Sequence, residues 1–115
     1  MVDPEKFLPL RAAHFHILLT LVDGPTHGYG VRRAVDERTD GRILLAAGTL
    51  YDTLQRLSRD GLIDLVDTPA EVGDEASSRW RFFALAPLGK RVLAAEVSRL
   101  EADVTAARTK LVAER

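Results

Sequence analysis

Six residues near the end of the chain, Leu93, Val97, Leu100, Val104, Ala107 and Leu111, recur at intervals of 4, 3, 4, 3 and 4. This is a heptad seam, and it demands one long helix with a narrow apolar stripe rather than a broad core-facing side. Nothing after Gly89 interrupts it up to about Ala113, and Pro87 suits the first turn, where its missing N–H is harmless. At about 1.5 Å per residue the helix is roughly 40 Å long. The whole chain has 115 residues. A domain of that size buries only about two-thirds of its unfolded surface and cannot cover such a helix by itself. A second copy of the chain is therefore the expected partner of the seam, with the apolar first helix of that copy packed beside it.

The patterns upstream are shorter. Residues 8–22 are apolar on nearly every side, which predicts an enclosed helix, and Asp23-Gly24-Pro25 stops it. Thr26 is placed to cap a second helix, HGYGVRRAVDER, with Val31, Ala34 and Val35 inside and Arg32 and Arg33 outside. Gly28 and Gly30 weaken that helix by roughly 1 kcal/mol each relative to alanine, so a close helix contact or a delayed start is expected there. In GTLYDTLQRLSRDGLI, residues 48–63, Leu50, Leu54 and Leu57 face a core and Gly61 stands where a left-handed cap belongs. LIDLVD and RWRFFAL then read as two strands of an antiparallel hairpin. The expected fold is mostly α with a small β-hairpin: a winged helix-turn-helix over residues 1–86 and a long C-terminal dimerisation helix over 87–115.

Several function classes drop out on residue type. There is no cysteine, hence no disulfide, thiolate metal site or cysteine nucleophile, and this fits a reducing compartment. His14 and His16 point apart on a helix, and no acid stands at ligand spacing from them or from His27, so no metal site is expected. No Gly-rich phosphate loop, serine beside a base or paired carboxylate is present, so the chain reads as neither an enzyme nor a cofactor protein. The N-terminal apolar stretch, broken by His16 and Thr20, is too short to span a bilayer and lacks a signal-peptide cleavage site; no membrane association and a cytoplasmic location are expected.

Charge is segmental. The net value is -1, yet residues 26–59 carry six arginines against four acids, while residues 60–78 carry six acids and no base. On the third helix Asp52, Gln55, Arg56 and Arg59 lie away from the leucines. They fit a solvated outer face, the default for an amphipathic helix. They also fit a recognition helix in a major groove, where Gln bonds adenine, Arg bonds guanine or phosphate, and Asp accepts from cytosine. Arg32 and Arg33 on the second helix and Arg79 and Arg81 on the hairpin offer phosphate contacts toward the same side. Three basic elements favour double-stranded DNA as partner. Thr49 fits a phosphate contact or a cap, and Tyr51 a phosphate contact or a packing role. Tyr29 is expected to close the contact between the first two helices, with a DNA backbone contact the lesser alternative, and Trp80 and Phe82 to pack in the wing or against the last helix rather than form a ligand box.

HGYGVRRAV, GTLYDTLQRLSRDGLI and RWRFFALAPLGKRVL together resemble the signature blocks of the PadR family of bacterial transcriptional regulators, over nearly the whole chain. The GTLY block with its Leu-rich helix and GLI is the most specific of the three. The resemblance implies the short subfamily with a single C-terminal helix: a homodimeric, sequence-specific repressor on a pseudo-palindromic operator, responsive in many members to a small molecule. Departures are Ala46 for a capping serine, Asp52 for the proline after the GTLY tyrosine, Ala86 for a capping threonine, and an acidic hairpin tip with Glu71, Asp74 and Glu75. In some relatives a flat hydrophobic effector lies against aromatic side chains of the dimer helices. The last helix here has none, so that pocket does not carry over, and Phe7, Phe15, Leu93 and Val97 are the nearest lining for a small hydrophobic effector. The rival reading is a winged-helix protein-interaction module without DNA binding, docking through its acidic tip.

Overall fold

A computed structural model describes residues 2–68 and 81–114. The chain opens with a short 3-10 turn, Pro4–Phe7, capped by the Asp3 carboxylate, which accepts from the Glu5 N–H at 3.0 Å. Helix α1 then runs Ala12–Leu21. It starts later than the apolar pattern suggests because the chain is extended at Leu8, before Pro9, and again at Arg11. Two residues, Thr26–His27, form strand β1, and α2 spans Gly28–Arg38.

The cap of α2 is His27, not Thr26: its Nδ1 accepts from the Gly30 N–H at 3.0 Å, while Thr26 pairs with Phe83 in the sheet. Burial holds the His27 ring below the usual 6.5, and an acceptor Nδ1 requires its neutral form.

Helix α3, Ala47–Arg59, is amphipathic as expected, with Leu50, Leu54 and Leu57 buried. It ends in a Schellman motif. The Leu62 N–H donates to Leu57 O at 3.0 Å and the Gly61 N–H to Ser58 O at 3.1 Å, with Gly61 at φ +81°, where a side chain would be strained. Strands β2, Ile63–Val66, and β3, Phe82–Leu85, are antiparallel, with Leu65 opposite Phe83. The sheet has three strands rather than the two of a bare hairpin, in the order β1-β3-β2. A two-residue strand is too short to show any period in sequence.

Helix α4, Pro87–Ala113, closes the chain. Its start is locked to the end of α3: the Ala86 N–H donates to Leu62 O at 3.1 Å, and a Cβ added at Gly89 would lie 2.0 Å from that same oxygen. Only glycine fits there. Val92 and Leu93 join Ile17, Leu18, Val31 and Val35 in one core with the α3 leucines. One turn further on, Glu96 is buried at 2 % exposure. Its carboxylate accepts from the Leu10 N–H at 2.8 Å and from the Arg99 guanidinium, which also reaches Asp103 at 3.0 Å. The Arg99 hydrogen bonds hold the Glu96 carboxyl below its usual range against the opposing effect of burial. From residue 101 onward every described side chain is exposed, and the molecule measures 60 Å along its longest axis against 37 and 25 Å across. Among the described residues no helix is long and apolar enough to cross a membrane.

Candidate nucleic-acid interface

The leucines that face α3 inward fix what it shows outward. At 100° per residue, positions opposite Leu50, Leu54 and Leu57 are Asp52, Gln55 and Arg59, with Arg56 beside them, and all four are exposed. Shallow clefts flank this crest on both sides. The first, of about 390 Å³, lies toward the sheet and is lined by Tyr51, Asp52, Gln55, Leu65, Arg81 and Phe83. The second, of about 340 Å³, lies toward α1, where Arg11 and His14 meet Thr49, Gln55, Arg56 and Arg59. Asp52 and Gln55 border both.

Tyr51 is held in place by packing. Its ring lies so close to Gly28 that a Cβ there would stand 3.0 Å from it, so the glycine admits the α2–α3 contact. The ring nevertheless stays 53 % exposed. Tyr29, expected to close the contact between α1 and α2, does not: it is 60 % exposed and stacks on His27, its ring centroid 6.3 Å away. Beside the apolar packing of Ile17 and Leu18 with Val31 and Val35, the two helices are bridged by Arg38, whose Nη2 donates to His16 O at 3.0 Å and to Thr20 Oγ1 at 3.2 Å. Thr49 is the third residue of α3 and does not cap it; the cap position is Ala46, which supplies no side-chain bond. Residues 46–49 are all exposed, so the open N–H groups of the first turn face outward.

Among the described residues Arg11, Arg32, Arg56, Arg59 and Arg81 form no ion pair, whereas Arg33 is bound to Glu37 at 3.1 Å in an exposed pair worth about 0.3–0.5 kcal/mol. Arg32 and Arg33 lie on α2 and line neither cleft. Phe82 packs as expected, buried and edge-on to His27 at 5.3 Å. Arg79, Trp80 and the acidic tip lie outside the described residues. The three histidines are separated by role: His14 in the α1-side cleft, His16 under Arg38, His27 as a cap. No group of three potential metal ligands occurs among the described residues. Sequence reading missed Arg11 and His14, which are some 40 positions from the helix they flank; only the packing of α1 against α3 brings them together.

Three helices with the third turned outward, a small antiparallel sheet beside it and a projecting last helix define a winged helix-turn-helix protein. Residues 17–95 match the transcriptional regulator PadR-like family, and the chain belongs to it. It is 33% identical over 84 residues to an uncharacterized 37.1 kDa protein in transposon TN4556 of Streptomyces fradiae; the match covers 73% of this chain and 21% of that protein, so the chain spans about a fifth of the curated relative's length. In fold it is similar to a transcriptional regulator from Clostridium thermocellum, with a TM-score of 0.68 at 22% identity over 84% of this chain and 89% of that one. It is also similar to Bacillus subtilis PadR in complex with operator DNA, with a TM-score of 0.62 at 21% identity over 76% and 47% of the two chains.

Proposed function

We propose that the protein is a sequence-specific, DNA-binding transcriptional repressor acting as a homodimer on a pseudo-palindromic operator. The observation that carries this reading is the set of arginines, without ion pairs among the described residues, around an outward α3 whose crest presents Gln55 and Arg59. An unpaired exposed arginine gives up no existing bond when it meets phosphate, and each such contact adds counterion release to affinity. Gln55 and Arg59 read base edges; Arg56, Arg81, Arg32 and Arg33 hold backbone, with Thr49 and Tyr51 at the start of α3. Asp52, at the crest, favours cytosine and disfavours close phosphate. Residues 1–86 supply these contacts. Residues 87–115 pair the subunits through Val97, Leu100, Val104, Ala107 and Leu111, setting two α3 helices about 34 Å apart. Leu93 is already buried within its own chain. Response to a small hydrophobic effector enters only as the family implies it, since Phe7, Phe15 and Leu93 already pack into the core.

Selection of bound duplexes from a random pool tests the reading. The expected result is a two-fold symmetric motif with half-sites one helical turn apart; recovery of no enriched sequence, with binding instead to proteins, would place the chain among interaction modules. In the selected duplex Gln55→Ala should lower discrimination between operator variants by about 1–3 kcal/mol more than it lowers affinity for unrelated DNA.

A further inference from the structure

A helix about 10–12 Å across that lies in a major groove about 12 Å wide runs between two phosphate backbones, one along each of its flanks. On the sheet side of α3 the basic group among the described residues is Arg81. The opposite flank carries its own, on a different element. Arg11, the residue before α1, and His14, in its first turn, form one wall of the α1-side cleft, facing Arg56 and Arg59 across it. Arg11 is exposed and forms no ion pair among the described residues. Its backbone carbonyl accepts from the Phe15 N–H at 2.9 Å, which ties it to the rigid start of α1.

Resting on the DNA-binding reading, we infer that Arg11 and His14 form a second phosphate-binding wall, and that His14 takes up a proton when a phosphate enters the α1-side cleft. The groups facing His14 are Arg11 from its own segment, Arg56 from α3 and Asp60 just past its end, with Asp52 and Arg59 further along the cleft. A neighbouring pocket that shares Arg11, His14 and Arg56 with this cleft is lined by Phe7, Leu10, Leu57 and Leu62. In the free protein burial, then Arg11, then Arg56 keep the ring below the usual 6.5, with Asp60 opposing them. These causes favour the neutral ring in the free protein. A phosphate placed between these cations reverses the balance: its charge offsets the two arginines and favours imidazolium, so association consumes a proton and tightens as pH falls.

The experiment measures affinity for a duplex selected with the wild-type protein, across salt concentration and from pH 7.5 to 5.5, with folding checked by circular dichroism at each pH. Arg11→Ala should reduce the salt slope by about 1 and weaken binding about fivefold at 0.15 M salt. The wild type should bind more tightly at pH 5.5 than at pH 7.5, by a factor of about 3 or more, and His14→Gln should remove most of that gain while leaving affinity at pH 7.5 within about twofold. Salt slope unchanged in Arg11→Ala, or a pH gain that survives in His14→Gln, overturns the inference and leaves the DNA-binding reading intact. If the wild type binds no duplex, both fall together.

Discussion

Residues 87–96 and 97–113 belong to one unbroken helix with one continuous seam, yet they answer to different neighbours. In the first stretch Gly89, Val92, Leu93 and Glu96 are buried against the same chain. In the second, Val104 is 50 % and Leu111 65 % exposed. An apolar stripe at heptad spacing on a projecting helix calls for a second helix. Identical periodicity thus serves the chain's own core at one end and stays exposed at the other, where the proposed dimer would use it, and what separates the two is whether the rest of the chain reaches that far.

Gly89 is the tightest point of the first stretch. Alanine there would drive a Cβ into Leu62 O, a backbone atom engaged by the Ala86 N–H, so neither partner yields cheaply. The expected cost is about 3 kcal/mol, read as a fall in Tm of about 12 °C. An unchanged Tm would mean that the start of α4 is not locked to the end of α3.

Glu96 comes next, at the border between the two stretches. Glu96→Ala strands the Leu10 N–H and should cost about 2 kcal/mol in denaturant unfolding, with Glu96→Gln costing less because it retains an acceptor. Acid adds an independent check. Glu96 sits below its usual value of 4.5, so its contribution is complete above about pH 4.5 and is lost as pH falls through the lower folded value. His14, His16 and His27 are all held below 6.5, so each contributes stability present above pH 6.5 and lost as pH falls through its own folded value. Stability should therefore decline in two stages on acidification, with only the lower stage abolished in Glu96→Gln.

Within the single chain the smallest effect belongs to the projecting stretch. Val104→Asp combined with Leu111→Asp should change the unfolding free energy of the monomer by about 0.5 kcal/mol or less, yet convert the sedimenting species at micromolar concentration from two chains to one. Retention of the heavier species would show that pairing uses another face. In the wild type, Tm should rise with protein concentration, and in the double variant it should not.

Local order was legible wherever a pattern ran long enough to repeat. The three leucines of α3, the left-handed Gly61 and the span of α4 followed from spacing alone, and these place Gln55 and Arg59 on an outward face. Pairings distant in sequence were not legible. Strand β1, the His27 cap and the Glu96–Leu10 bond each depend on a partner dozens of residues away or on a ring nitrogen replacing a hydroxyl. Tyr29 shows the same limit from the other side: an aromatic in a glycine-rich turn looks like packing, but its neighbour His27 takes the inward position against Phe82. Arg11 and His14 escaped because a helix start carries no periodicity that names the element it will lie beside.

Leu62 receives little notice as a single leucine, yet its N–H ends one helix and its carbonyl begins the next. The outward-facing α3 and the projecting α4 are thereby tied together at a single residue, like an elbow fused at one joint. In the proposed dimer the distance between the two reading heads is inherited from that joint. An operator with one base pair inserted between its halves should therefore be bound more weakly than the selected one.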